Sequence, residues 1–134
     1  MSAGVGTLRR ILLAGLVYFL IVFTAGFALG TARIFAIEPK FGAALAVLFE
    51  APFMLAISWI VCGAVIRRIT PPPTLAQRAL IGGVAFALLL AAEITLGFAL
   101  GEGLNDIAAG WKTPAGAIGL AGQLLFAAFP MMRR

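Results

Sequence analysis

Residues Ile11 to Gly30 read ILLAGLVYFLIVFTAGFALG and contain no charged side chain. A helix that crosses the hydrocarbon core of a bilayer needs about 20 mostly apolar residues at a rise of about 1.5 Å each. This stretch meets that requirement, and Arg9 and Arg10 stand directly before it. Because the apolar region of a secretory signal peptide is shorter, at about 7–15 residues, we predict that this span is retained as a transmembrane helix.

Three further apolar stretches follow the first one. They run from Phe41 to Ile66, from Ala79 to Leu100 and from Ala115 to Met132. Backbone groups in lipid must be hydrogen-bonded internally, and four segments are too few for a closed barrel, so each stretch is expected to be helical. We therefore predict an all-α membrane protein with one domain over residues 1–134, whose four transmembrane helices lie near residues 11–35, 41–66, 79–101 and 115–132.

The composition excludes most soluble functions. Of the 134 residues, 63% are hydrophobic and 11% are charged, and the mean hydropathy is +1.11, whereas a soluble domain has about 25% charged residues. The chain has no histidine, the commonest metal ligand and general base, and its one cysteine, Cys62, forms no disulfide framework. We predict no enzymatic activity, no catalytic residues, no metal and no cofactor. The basic residues form no aromatic-interleaved patch, so nucleic acid is not an expected partner.

The basic residues divide unequally between the two sides of the predicted membrane. Seven arginines share one side with both chain termini, and three basic residues lie on the other side together with three acidic ones. Because cytoplasmic loops are enriched in Lys and Arg, we predict a multi-pass protein of the bacterial inner membrane with both termini in the cytoplasm. The seven are Arg9, Arg10, Arg67, Arg68, Arg78, Arg133 and Arg134, and the opposing side carries Arg33, Lys40, Lys112, Glu38, Glu102 and Asp106.

One pentapeptide occurs twice. Gly-Phe-Ala-Leu-Gly stands at Gly26–Gly30 and again at Gly97–Gly101. A duplication of residues 1–70 as residues 71–134 would relate two tandem helical hairpins by a pseudo-two-fold axis along the membrane normal. The alternative is chance similarity between helices rich in Ala, Leu, Gly and Phe. The paired glycines Gly26, Gly30, Gly97 and Gly101 fit the small-residue pattern of packed membrane helices, and we predict that role for them.

Four polar residues interrupt the apolar stretches or their ends. Arg33, Glu50, Glu93 and Gln123 each share a helix face with Gly or Ala residues three, four or seven positions away. Charged groups at membrane depth are costly unless they are buried in protein and partnered, so these side chains are expected to point into the bundle. We predict one intramembrane polar cluster in which Arg33 pairs with one glutamate and the other glutamate carries a proton.

Pro52 follows Glu50 closely in the second span. Proline has no amide proton, so the carbonyl of Leu48 is expected to lose its hydrogen bond, and a kink is predicted beside Glu50. Two interpretations of the polar cluster remain open at this point. The four groups either connect helices structurally by hydrogen bonds, or they form a site for a proton, a cation or a ligand.

Residues in both halves follow a recognisable order. The first half carries Gly26, Gly30, Arg33, Pro39, Gly42, Ala46, Leu48, Glu50, Pro52 and Met54, and the second carries Ala92, Glu93, Gly97, Gly116, Leu124, Phe126, Ala127 and Pro130. This pattern resembles an uncharacterised family of small bacterial inner-membrane proteins with four transmembrane helices. The resemblance implies the topology and the importance of the polar positions, and it implies no activity. Pro114-Ala115-Gly116 departs from the pattern, where a more polar, aromatic-bearing loop is expected.

The sequence favours a non-enzymatic role. Short loops and numerous small-residue faces suggest a small integral subunit or accessory protein that packs against a larger membrane protein or against its own copies. The alternative is a minimal proton- or cation-coupled transporter or channel that works as an oligomer through Glu50 and Glu93. Either role makes the lipid bilayer a partner, together with another membrane protein or a second copy of this chain.

Overall fold

A computed structural model describes residues 2–133, and every regular element within that range is helical. Met1 and Arg134 lie outside the described residues, so the predicted place of Arg134 beside the other arginines does too. The elements are α1 (Ser2–Ala32), a π-helical turn (Arg33–Ile37), α2 (Glu38–Phe41), α3 (Ala43–Arg67), α4 (Leu75–Ala99), α5 (Leu104–Trp111) and α6 (Pro114–Met132).

Four of these helical runs are long and apolar enough to cross a membrane. The prediction of an all-α protein with four membrane-spanning helices is confirmed at this level, and the chain is a multi-pass membrane protein. The spans are Gly4–Phe41, Ala43–Arg67, Leu75–Ala99 and Pro114–Met132. The first span begins at Gly4 and not near residue 11 as predicted, because nothing before Ile11 interrupts the helix. The short helix α5 was not predicted.

Local sequence fixes where the spans begin and end. Gly42 has a φ of +83°, a backbone conformation that glycine adopts without strain, and it separates α2 from α3. Thr74 caps α4, since its hydroxyl accepts from the Gln77 amide at 3.2 Å and its own amide donates to the Gln77 side chain at 2.9 Å. The Thr113 hydroxyl accepts from the Gly116 amide at 3.0 Å and caps α6.

The four spans form a ring in which α1 lies beside α3 and α4, and α6 also lies beside α3 and α4. A two-fold axis along the membrane normal would place the first and third spans diagonally across the ring. The first and third spans, α1 and α4, are instead neighbours, as are the second and fourth, α3 and α6. The arrangement therefore does not confirm the pseudo-two-fold relation.

The buried core lies toward one end of the bundle. We call this the arginine end, because α1 and α4 begin there and α3 and α6 finish there beside the arginines; the other is the mixed-charge end. The Tyr18 ring stacks on Phe126 with 4.3 Å between centroids, and its hydroxyl donates to the Phe126 carbonyl at 2.7 Å. The core comprises Ile11, Ala14, Tyr18, Phe19, Val22, Cys62, Ile66, Ile81, Ala85, Phe126 and Phe129.

Two glycines permit the close helix crossings of this core. A Cβ atom at Gly15 would lie only 2.8 Å from a methyl carbon of Val84. The absence of a side chain at Gly15 therefore lets α1 lie close to α4. A Cβ at Gly82 would collide with the backbone carbonyl of Ala127, so α4 and α6 are nearly in backbone contact. Small residues allow such approaches between membrane helices. Neither glycine belongs to the two motifs that the sequence indicated.

The four predicted packing glycines differ in what lies next to them. A Cβ at Gly26 would lie 3.2 Å from the Met54 side chain, so Gly26 does adjoin the neighbouring span. Gly30 adjoins only the nearby Arg33 side chain, and Gly97 faces Ile107 of α5. Gly101 lies beyond the end of α4 with a φ of +88°, and a Cβ there would contact no other atom of the described chain. There it accommodates the turn that ends the helix.

Replacing Tyr18 by Phe is expected to lower the free energy of unfolding by about 1 kcal/mol. The change removes the hydrogen bond to the Phe126 carbonyl in a buried place and leaves the ring stacking intact. Thermal unfolding in a mild detergent measures the effect. The control is Thr24→Val, since Thr24 bonds the Leu20 carbonyl of its own helix on an exposed face. Equal stability of Tyr18→Phe and the unchanged protein would contradict the prediction.

Candidate functional site

A cavity of about 510 Å³ lies among the four spans on the mixed-charge side of the core. All four predicted polar residues, Arg33, Glu50, Glu93 and Gln123, line this central cavity. Each of the spans contributes one of them, and the remaining walls are mostly apolar. The structure thus brings the four side chains to one space.

Arg33 and Glu50 form an ion pair across the first and second spans. Arg33 Nε lies 2.5 Å from Glu50 Oε2, and a terminal nitrogen of the same guanidinium lies 3.6 Å from Glu38 Oε2. The Arg33 and Glu50 side chains are 22% and 16% exposed, so water reaches the pair only partly. One arginine therefore faces two carboxylates.

The backbone around Arg33 departs from a regular α-helix. Arg33 begins the π-helical turn, in which the Glu38 amide donates to the Arg33 carbonyl five residues earlier. Pro39 follows at once and has no amide proton to continue an α-helical ladder. A π-helical turn of this kind widens the helix and is often found at functional sites. The sequence signal for it is Pro39, which the prediction did not use in this way.

Glu93 and Gln123 form the second polar pair, across the third and fourth spans. Gln123 Nε2 donates to Glu93 Oε1 at 2.5 Å. The other amide atom, Gln123 Oε1, is buried and accepts no hydrogen bond. Within residues 2–133, no Lys or Arg side chain lies within ion-pair distance of Glu93. Glu93 is thus a partly buried carboxyl whose partner is neutral.

The two polar pairs belong to different hairpins. The Arg33–Glu50 pair lies within the first hairpin (residues 2–67), and the Glu93–Gln123 pair lies within the second (residues 75–132). No hydrogen bond or ion pair in the described chain connects one pair to the other. Within the described chain, the four residues of the predicted polar cluster form two separate pairs that face the same cavity.

Pro52 lies inside α3 and is exposed, and it does not line the central cavity. The helix continues through it from Ala43 to Arg67. Sequence reasoning missed the aromatic part of the wall, which Phe23, Phe27 and Phe126 supply. For Phe23 and Phe27, the spacing from Gly26 and Gly30 on α1 was the available signal, because residues three and four apart share a helix face. Phe126 lies on α6, three residues after Gln123.

The arginine end is closed by side chains. The Trp59 ring meets Phe129 edge-on with 5.2 Å between centroids, and the guanidinium carbon of Arg133 lies 5.0 Å from the Trp59 centroid. Arg78 donates to the Arg133 carbonyl at 3.0 Å, and Arg10 donates to the Thr70 carbonyl. A cation over an indole ring is a favourable contact. The central cavity thus has a packed floor on this side.

Comparison with known proteins gives no relative: no family model, curated protein or solved structure matches this chain. The resemblance to four-span bacterial proteins stays a prediction. The function is therefore inferred from the residues of this chain and their geometry.

Proposed function

We propose that this chain is a minimal transporter of the bacterial inner membrane that carries a proton or a cation and works as an oligomer. The observation that carries the proposal is the central cavity, which lies among the four spans and holds a carboxyl group, Glu93, that has no counter-charge within the described chain. Intramembrane ionisable groups that face a cavity mark ion or substrate pathways in membrane proteins. Of the two roles that the sequence left open, the geometry favours this one.

The proposed orientation places the arginine end in the cytoplasm. Six described arginines lie at that end, and all five acidic residues of the chain lie elsewhere. An excess of Arg and Lys is typical of the cytoplasmic side. The central cavity then lies toward the periplasm. The packed side chains of Trp59, Phe129 and Arg133 lie between the cavity and the cytoplasm.

The proposed mechanism moves the two hairpins against each other. Each polar pair connects the two spans of its own hairpin, so neither pair has to break when the hairpins move apart on the mixed-charge side of the core. Transporters commonly work by rocking one bundle against another around a fixed site. Glu93 binds the transported proton or cation, and the Arg33–Glu50 pair provides a fixed pair of charges on the facing wall.

Ion flux into liposomes tests the proposal. We expect purified protein to carry protons or a monovalent cation along an electrical gradient, as measured by a pH-sensitive dye and a cation-sensitive dye inside the liposomes. Glu93→Gln keeps the shape and the amide partner but removes the proton site, so its flux should fall to that of empty liposomes. Glu102→Gln is the matched control, because Glu102 is exposed and lies outside the cavity; it should keep the flux.

The same preparation tests the accessory-subunit prediction. Absence of flux from the unchanged protein, or equal flux from Glu93→Gln, would contradict the transporter proposal. Extraction in a gentle detergent followed by native electrophoresis then separates the two roles. Migration with a larger membrane complex would support the subunit role, whereas a homogeneous oligomer of this chain fits the transporter.

A further inference from the structure

We infer that the central cavity takes a protonated amine that carries an apolar body, with Glu93 as its counter-charge and Gln123 Oε1 as a hydrogen-bond acceptor. The inference rests on the proposed function and adds the chemical class of the substrate. Three independent features of the cavity support it: its charge, its unused hydrogen-bonding capacity and its walls.

The charge of the cavity favours a cation. The positive group among the lining residues, Arg33, is already paired with Glu50 at 2.5 Å and lies near Glu38. Glu93 has only the neutral amide of Gln123 beside it. An anionic solute would find the arginine occupied and would meet carboxyl groups, whereas an ammonium group finds a carboxyl group that has no counter-charge.

The unused hydrogen-bonding capacity favours a ligand with N–H groups. Gln123 Oε1 is buried and has no donor, although nearly all buried polar atoms in proteins are hydrogen-bonded. It belongs to the same amide that holds Glu93, so the free acceptor and the carboxyl are adjacent. A primary ammonium group carries three N–H donors and is able to bond both. A quaternary ammonium group has none.

The walls favour an apolar body on that amine. Phe23, Phe27 and Phe126 line the cavity together with Leu55 and Leu89. Aromatic faces attract cations, and apolar side chains bury the hydrocarbon part of a ligand. The volume of about 510 Å³ falls in the range of small-molecule sites. A simple inorganic cation would leave most of this space and its apolar surface unused.

In the proposed binding step, the ammonium group of the ligand replaces the proton of the Glu93 carboxyl group. When the ammonium group arrives, the Glu93 carboxyl releases its proton to water in the cavity and becomes the carboxylate that pairs with the ligand. The charge inside the cavity is then the same before and after. This exchange couples amine binding to proton release at one side chain.

Four compounds with the same phenylbutyl body test the inference on the purified full chain by isothermal titration calorimetry. We expect 4-phenylbutylammonium to bind in a saturable manner. 4-Phenylbutanol, 4-phenylbutyrate and trimethyl-4-phenylbutylammonium should bind at least about tenfold more weakly, because each lacks the positive charge or the N–H donors. Titration in buffers of different ionisation enthalpy should show proton release with the first compound.

Two variants complete the test. Glu93→Gln should abolish the preference for the amine over the alcohol, whereas Glu102→Gln should keep it. Equal binding of amine and alcohol by the unchanged protein, no binding of the amine, or an intact preference in Glu93→Gln would overturn the inference. The four compounds are compared on the unchanged protein, and that comparison alone decides whether the cavity prefers the amine. Poor folding of a variant therefore does not obscure the result. Amine selectivity without flux of protons or cations would overturn the transport step alone, and flux without amine selectivity would overturn only the substrate class.

Discussion

Replacement of Arg33 by Gln is expected to cost about 3 kcal/mol of stability, the low end of the range for breaking a buried ion pair. The change leaves the Glu50 carboxylate, which is 16% exposed, without its cation in a largely apolar cavity. The cost stays at the low end because some water reaches the pair. Reversible unfolding in mixed micelles of mild detergent and dodecyl sulfate measures it.

A double-mutant cycle separates the ion pair from simple loss of packing. We expect Arg33→Gln combined with Glu50→Gln to be more stable than Arg33→Gln alone, because no unpaired charge remains. Lys40→Gln is the matched control, since Lys40 is an exposed cation near the same end and forms no ion pair in the described chain. Additive effects of the two substitutions would mean that the pair contributes nothing as a pair.

Replacement of Gly82 by Ala is the second change with a large expected effect, a loss of about 2 kcal/mol from overpacking. The added methyl group would collide with the Ala127 carbonyl, and Pro130 lies 3.5 Å away on the same helix. Backbone atoms cannot rotate aside as a flexible side chain does, so α4 and α6 must separate. The melting temperature in detergent should fall accordingly.

The neighbouring residue offers a close control. Gly83 lies in the same helix, is exposed, and has open space where its Cβ would stand. Gly83→Ala should therefore be neutral or stabilising by up to about 1 kcal/mol, because alanine favours helix more than glycine does. If both variants lose stability equally, the close crossing at Gly82 does not exist as described.

The repeated pentapeptide shows how far identical sequence determines structure. Gly26–Gly30 lies within α1, whereas Gly97–Gly101 spans the end of α4. In the second copy the Glu102 amide donates to the Gly97 carbonyl at 2.9 Å and the Gly101 amide to Phe98 at 3.0 Å, a common helix-ending pattern. The following residues decide the outcome, since Thr31 and Ala32 continue a helix and Glu102 and Gly103 do not.

The sequence alone determined that four apolar helices form and which polar residues interrupt them. Hydrophobic length is a local property of the chain, and lipid tolerates no unsatisfied backbone, so each span could be predicted separately. The same reasoning identified Arg33, Glu50, Glu93 and Gln123 as unusual, because each is polar within or beside an apolar stretch.

Only the tertiary structure decided which of these groups meet. The partners Arg33–Glu50 and Glu93–Gln123, the ring order of the spans and the close crossing at Gly82 depend on how helices rotate and tilt against one another. Those rotations follow from packing summed over whole helix faces, and nearly all faces here are rich in Ala, Gly and Leu. Because such faces differ little in sequence, the pairing of the spans and the cavity among them emerge only when all four helices pack together.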